Sequence, residues 1–289
     1  MPNAPWHGLE YRQVDVFANK VLGGNGVAVF WNRGELAKEV MQELTRELRQ
    51  FEAIYLRRIG ADNQFRANVF TMEEELDFAG HPVLGAAAVL HEKYGRREVE
   101  TWHIVLNASS VEVRTKRTGE SYVSTMYQQK AEFFRPAMSP SEIEAFMRAV
   151  NLSIEDKHPS LPLEVGSTGL PYLIVPVARN LDKARVVAGN LEDVLRRIGA
   201  RFLYLYDVER SEGRNWDNSG LVEDIATGSA AGPVAAYLCR HGFWSTGKEL
   251  RIRQGMYVGR ASEMIAKVLG SGQVEVSGGV QMAASGTFD

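Results

Sequence analysis

Two turns in this 289-residue sequence set a glycine beside a hydrogen-bonding side chain at the head of a small-residue run: Gly80-His81-Pro82 and Thr227-Gly228-Ser229. A turn of this kind that opens a helix leaves backbone N–H groups unpaired at the positive end of the helix dipole, which suits a carboxylate or other anion. One such turn reads as a plain N-cap. Two matched turns, brought together about a pseudo-twofold axis, read as a single anion-binding cleft. Other chemistries fit less well. Ser229 has Thr227 two residues before it, so the G-x-S-x-G nucleophile elbow is missing. The dinucleotide fingerprint and the P-loop pattern are absent too. The six histidines show no metal-ligand spacing, so no metal is expected. Among them, His91 reads as a helix-surface residue and His241 as a cation at a helix C-terminus. Cys239 reads as a small core residue, and the charged run 210–214 as a solvated loop.

The elements that must position these turns alternate between strands and helices. Strand patterning covers 11–17 and 27–30, across the turn Gly23-Gly24-Asn25-Gly26. An amphipathic helix over about 34–49 follows, then strands at 51–57 and 65–71. A small-residue helix at 83–94 stops at Gly95, and strands at 102–106, 111–115 and 122–127 complete the first half. In the second half, Ser139-Pro140-Ser141-Glu142 is a capping box that starts a helix running to about 150. Further elements are a strand at 170–177, a helix at 191–198 and a strand at 201–207. A buried helix over 230–240 stops at Gly242, and strands at 250–253, 263–269 and 273–278 close the chain.

The halves repeat. At an offset of 147 residues, Asp77 matches Asp224, Ala79 matches Ala226 and Gly85 matches Gly232, with Ala88–Ala235 and Gly95–Gly242 completing the set. A one-residue slip pairs Gly80-His81 with Gly228-Ser229. The division expected is an N-terminal lobe over 1–128 and a C-terminal lobe over 129–289, with the site between them. Thirty-three Lys and Arg against 36 Asp and Glu give a net charge of −3, which leaves no basic surplus for nucleic acid or an anionic bilayer. No apolar run approaches the ~18–20 residues of a membrane span, and residues 1–7 lack the pattern of a secretory leader. A cytoplasmic protein without membrane or nucleic-acid partners is expected. The lone cysteine excludes an internal disulfide, a Cys-based zinc site and any mechanism that pairs two cysteines.

The segment from Glu75 to Ala87, E-L-D-F-A-G-H-P-V-L-G-A-A, resembles a signature of the PhzF-like isomerase family, named for phenazine biosynthesis. Glu223 to Gly232, E-D-I-A-T-G-S-A-A-G, resembles its second long motif. Shorter matches at 13–17, 24–30, 167–172 and 254–255 fall in the same order. The resemblance implies an α+β, diaminopimelate-epimerase-like fold: two pseudo-symmetric lobes, each a curled, mostly antiparallel sheet around a central helix. It implies acid/base chemistry without a cofactor on a small carboxylate-bearing substrate, usually in a homodimer. In the epimerase relatives two cysteines exchange the proton. PhzF-like proteins use a carboxylate, which suits a chain with one cysteine.

From the residues alone, Glu52 is one of several nearby carboxylates, with Glu43, Glu47, Glu73, Glu74 and Glu75, and reads as a strand-edge group. The resemblance singles out Glu52 as the proton-transfer residue. It also marks His81, Asp224 and Ser229 as the other catalytic positions, and it assigns Gly80, Thr227 and Gly228 to substrate binding. Asp224 would orient a substrate amino or hydroxyl group or share the proton, and Asp77 reads as a surface cap. Gly26, Asp77 and Ile225 replace prolines usual in the family, and Ala53 replaces a threonine. The acid/base groups are kept, while the altered loop residues leave the substrate open. An amino-acid epimerase or racemase, and a non-catalytic binder of small ligands on the same fold, are the alternatives to the proton-shifting isomerase.

Overall fold

β-Branched residues that alternate along the N-terminal segment have one stable place, the inner face of a sheet. In the computed structural model, which describes residues 4–31, 34–60 and 63–289, β1 (Glu10–Val16) and β2 (Asn25–Trp31) pair antiparallel, with Val14 opposite Val27. Gly24 supplies the left-handed turn at φ +60°, where a Cβ would run into the Val16 carbonyl. Next come α1 (Lys38–Glu47), β3 (Ala53–Arg58), β4 (Gln64–Phe70), the two-residue β5 (Glu75–Leu76) and α2 (Gly80–Tyr94). β6 (Val99–Val105), β7 (Ser110–Thr118) and β8 (Ser121–Gln128) follow. Later elements are β9 (Glu132–Phe134), α3 (Pro140–Ala149), β10 (Glu164–Ser167), β11 (Pro171–Val177), α4 (Leu191–Arg197), β12 (Phe202–Asp207) and β13 (Glu212–Arg214). The chain ends with α5 (Gly228–Arg240), β14 (Leu250–Gln254), β15 (Ser262–Val268) and β16 (Val274–Thr287).

Two units make up the chain, Met1–Tyr127 with Ser277–Asp289, and Gln128–Val276. The last 13 residues therefore group with the first unit rather than with the 129–289 lobe expected from the sequence. The reason is β16, which pairs with β1 in antiparallel register, Val16 opposite Val280 and Glu10 opposite Thr287.

In the first unit the strand order is β1-β2-β3-β4-β6-β7-β8-β16, and the β1–β16 pairing closes eight strands into a ring. The pairs β2–β3 and β4–β6 are parallel. Encircled by sheet, α2 is apolar on all sides, and every residue from His81 to His91 is buried. Gly85 lets the helix approach, since a Cβ there would lie 2.8 Å from Val27, 2.9 Å from Val14 and 3.1 Å from Val16. His91 corrects the surface assignment. It is fully buried, with Nε2 donating to the Arg97 carbonyl at 2.9 Å and Nδ1 2.7 Å from the Thr115 hydroxyl. Outside the ring, α1 lays Met41 and Leu44 against Phe30, Tyr55 and Phe70.

In the second unit β15, β14, β13, β12, β11, β10 and β9 follow one another in the sheet, with β11–β12 and β13–β14 parallel. On one side lies α5, packed on β10, β11 and β15. α3 and α4 help bury Leu173, Val175, Leu203 and Leu205 in a separate apolar cluster. α3 starts at the expected capping box, with Ser139 Oγ accepting from the Glu142 amide and Glu142 Oε2 accepting from the Ser139 amide. The run 210–214 is a solvated loop only at its start, where Arg210 and Ser211 lie in a turn. Glu212, Gly213 and Arg214 form buried β13. The architecture is α+β, as expected. Among the described residues no helix is long and apolar enough to cross a membrane. The first three residues of the leader reading lie outside the described residues.

Candidate active site

Glu52 sits between α1 and β3, and local packing fixes it there. The Tyr55 hydroxyl donates to the Met41 carbonyl at 2.8 Å, which ties β3 to α1, and its ring stacks on Phe30 at 4.5 Å, which ties β3 to β2. Parallel pairing then lets the Glu52 carbonyl accept from the Ala28 amide at 3.4 Å, while Ala53 is fully buried. The strand begins two residues later than the pattern suggests, so Glu52 lies just ahead of it rather than along its edge.

His81 enters from α2. The N-cap, Ala79, has no side chain able to cap, Pro82 has no N–H, and the amides of Gly80 and His81 open the helix. His81 Nδ1 lies 3.4 Å from Glu52 Oε2, with the two side chains 9% and 13% exposed. Burial pushes the imidazole down to about 3, against the pull of a hydrogen bond to the Gly26 backbone. The ring is therefore neutral near pH 7, and its Nε2 is buried without a hydrogen-bond partner among the described residues. The first unit thus holds a carboxylate in contact with a neutral imidazole at a helix N-terminus. Asp77, three residues before Gly80, is exposed.

This geometry sets a pH dependence of stability. An unfolded histidine titrates near 6.5, so between about 6.5 and about 3 the unfolded chain binds a proton at His81 that the folded chain does not. Stability is full above about pH 6.5 and falls as the pH drops toward 3, by roughly 2–4 kcal/mol from this group. Urea-unfolding midpoints measured across that window should decline in the wild type. In His81→Asn they should decline less, and parallel curves for the two proteins would contradict the assignment.

The second unit carries the other turn. Thr227 is the N-cap residue of α5 and makes no side-chain cap bond; its carbonyl accepts from Ala230 at 3.0 Å and Ala231 at 3.3 Å. The amides of Gly228 and Ser229 precede these first intrahelical bonds. Ser229 Oγ lies 2.7 Å from the Tyr172 hydroxyl. Asp224 Oδ2 accepts from the Thr227 hydroxyl at 2.6 Å and Oδ1 from the Ala226 amide at 3.3 Å. Thr227 is buried, and both its amide and its hydroxyl are engaged within the unit. Asp224, Thr227, Gly228 and Ser229 thus share one turn, as Glu52, Gly80 and His81 share one corner of the first unit.

Sequence reasoning matched Gln254 to the family pattern but gave neither it nor the other groups that hold this turn a role. Gln254, fully buried, binds Asp224 and Thr227, and Tyr204 and Asn215 extend the network. The signal was available: β14 alternates Leu250, Ile252 and Gln254 inward, and an amide at an inward position needs partners there. Arg214 and Glu223 form a buried ion pair next to Asp224 in the chain.

Residues 14–286 match the family model for phenazine biosynthesis-like proteins, PhzC-PhzF. The trans-2,3-dihydro-3-hydroxyanthranilate isomerase of Pseudomonas aeruginosa is 32% identical over 287 residues, covering 96% of this chain and 98% of that one. A solved structure of a predicted epimerase from Pseudomonas aeruginosa superposes with a TM-score of 0.90 at 45% identity, over 97% of this chain and 99% of the other. A hydroxyproline epimerase from Agrobacterium vitis superposes at 0.66 with 11% identity, over 98% and 91% of the two chains, a likeness of fold alone. The fold is diaminopimelate-epimerase-like, and the chain belongs to the phenazine biosynthesis-like, PhzC-PhzF, family and is an isomerase.

Proposed function

We propose that this isomerase moves a proton on a small carboxylate-bearing substrate, with Glu52 as the general base that takes the proton and the acid that returns it. The observation that carries this reading is the contact of Glu52 with a neutral, buried His81 at 3.4 Å. A carboxylate is within the range of groups able to shuttle a proton, and a neutral imidazole can hydrogen-bond without holding that carboxylate in a full ion pair. His81 hydrogen-bonds the substrate or tunes Glu52. Ser229 and the amides of Gly80 and Gly228 hold the substrate carboxylate, as amides at helix N-termini do for anions. Asp224 orients a donor group of the substrate, and Thr227 supports it. The reading requires groups from both units to engage one substrate. It carries with it a cytoplasmic homodimer, as the family resemblance implies.

The substrate to test first is trans-2,3-dihydro-3-hydroxyanthranilate, from the name of the 32% identical relative. In deuterated water, proton NMR of that substrate with the protein should show a shifted double bond and deuterium at one carbon. The epimerase name of the 45% identical structure supports a second reading, inversion at a single centre. In that case a panel of amino and hydroxy acids would show exchange at Cα with loss of optical rotation and no double-bond shift. A carboxylate that raises the melting temperature and never exchanges would overturn both in favour of a binding protein.

A further inference from the structure

The hydrogens around Asp224 can be placed one by one. The Thr227 amide donates to Gln254 Oε1 at 3.2 Å, and the Asp224 carbonyl accepts from Gln254 Nε2 at 2.8 Å. An N–H only donates and a carbonyl only accepts, so these two bonds decide which end of the Gln254 amide is oxygen and which is nitrogen. The Tyr204 hydroxyl donates to the same Oε1 at 2.9 Å. The second hydrogen of Nε2 goes to Thr227 Oγ1 at 2.9 Å, and Asn215 Nδ2 adds a longer bond to that oxygen at 3.3 Å. A threonine hydroxyl has one hydrogen, and here it points at Asp224 Oδ2, 2.6 Å away. With the Ala226 amide on Oδ1, both oxygens of Asp224 accept.

We propose that Gln254 is a positioning residue that, through Thr227, holds Asp224 as an ionised hydrogen-bond acceptor throughout the reaction. Bonds donated by the Thr227 hydroxyl and the Ala226 amide favour the charged form of Asp224, and the Thr227 hydrogen cannot turn away because Gln254 and Asn215 occupy the acceptor side of its oxygen. Resting on the reading of Asp224 as part of the active site, it follows that the substrate group meeting Asp224 is a donor, an amine or a hydroxyl. The travelling proton is then left to Glu52. Neighbouring titratable groups have assigned states or partners. Burial lifts the Tyr204 phenol well above its ordinary range, so it remains a donor. Arg214 takes up the charge of Glu223, and Tyr172 lies across Ser229.

The test needs no substrate. The full chain is labelled with carboxyl-13C aspartate, the Asp224 resonance is identified by its loss in Asp224→Asn, and the signal is titrated from about pH 7 to about pH 3 with circular dichroism as the check on folding. Removing the Thr227 bond to the charged group should raise the Asp224 midpoint by about one pH unit in Thr227→Val, and Gln254→Met, which frees the Thr227 hydroxyl to turn away from Oδ2, should raise it by up to the same amount. Thr227→Ser, which keeps the hydroxyl, should titrate as the wild type, and the double variant should shift no further than Thr227→Val. Thr227→Val carries the test where Gln254→Met does not fold. An unchanged midpoint in folded Thr227→Val overturns the proposal, as does a Gln254→Met shift of full size added on top of Thr227→Val. Because only a resonance is followed, these results stand apart from whether trans-2,3-dihydro-3-hydroxyanthranilate is turned over.

Discussion

Glu52→Gln should lose at least about 1,000-fold in solvent-deuterium exchange into the substrate, with binding and folding close to wild type. Glutamine has the shape of glutamate and keeps a hydrogen-bonding carbonyl, but it cannot take up a proton, and a positioned acid/base group contributes on the order of 10²–10⁴ in rate. The backbone contribution of the residue, its carbonyl on the Ala28 amide, survives the change. KM should therefore move by less than about threefold while kcat collapses, the signature of an interaction used only in the transition state. His81, at 3.4 Å, gives the comparison: His81→Asn should cost less, because it removes a neighbour of the reacting group and not the group itself. Exchange by Glu52→Gln at the wild-type rate would move the proton-transfer role to another residue.

Arg214→Met should be the most destabilising single change on the second unit, by about 3–5 kcal/mol, lowering the melting temperature by on the order of 10 °C. The guanidinium is almost wholly enclosed. It forms two parallel bonds with Glu223, at 2.8 and 2.6 Å, and donates to the carbonyls of Leu181, Asp182 and Ala184. Its flat faces lie 4.5 Å from the Trp216 ring and 4.3 Å from the Tyr257 ring. Methionine fills part of the space and strands both a buried carboxylate and three carbonyls. Adding Glu223→Leu should recover part of the loss, since removing both charges is far cheaper than removing one. The recovery stays incomplete because the carbonyls still lack a donor. Scanning calorimetry of the two variants checks the order, and a double variant as unstable as the single one would show that the ion pair is not the source.

Long helices and alternating strands were readable because their patterns are local. α3 begins at its capping box, and α2 and α5 lie where small apolar residues run on without a polar face. His91 and Arg214 were misread because a charged or titratable side chain defaults to the surface, and only partners distant in sequence, Thr115 for one and Glu223 for the other, bring it inside. The sequence pattern ends the last strand at 278, whereas β16 runs on to Thr287 through Gly279 and Gly286. The structure shows why glycine is needed in that strand: a Cβ at 279 would lie 2.5 Å from the Ala18 carbonyl and one at 286 would lie 2.5 Å from the Tyr11 ring. Glu52 itself carried no local mark among its neighbouring glutamates. Family resemblance singled it out, and the structure places it 3.4 Å from His81.

The return of β16 to β1 has a bearing on how the chain matures. Chains usually complete their N-terminal domain first as they leave the ribosome. Here the ring around α2 lacks its eighth strand until residues 277–287 have been synthesised, after the whole of the second unit. Until then β1 waits with one edge unpaired, an open template for another strand. The first unit is thus completed only after the second has been made, and its Glu52–His81 contact is assembled on a scaffold whose closure depends on residues 277–287.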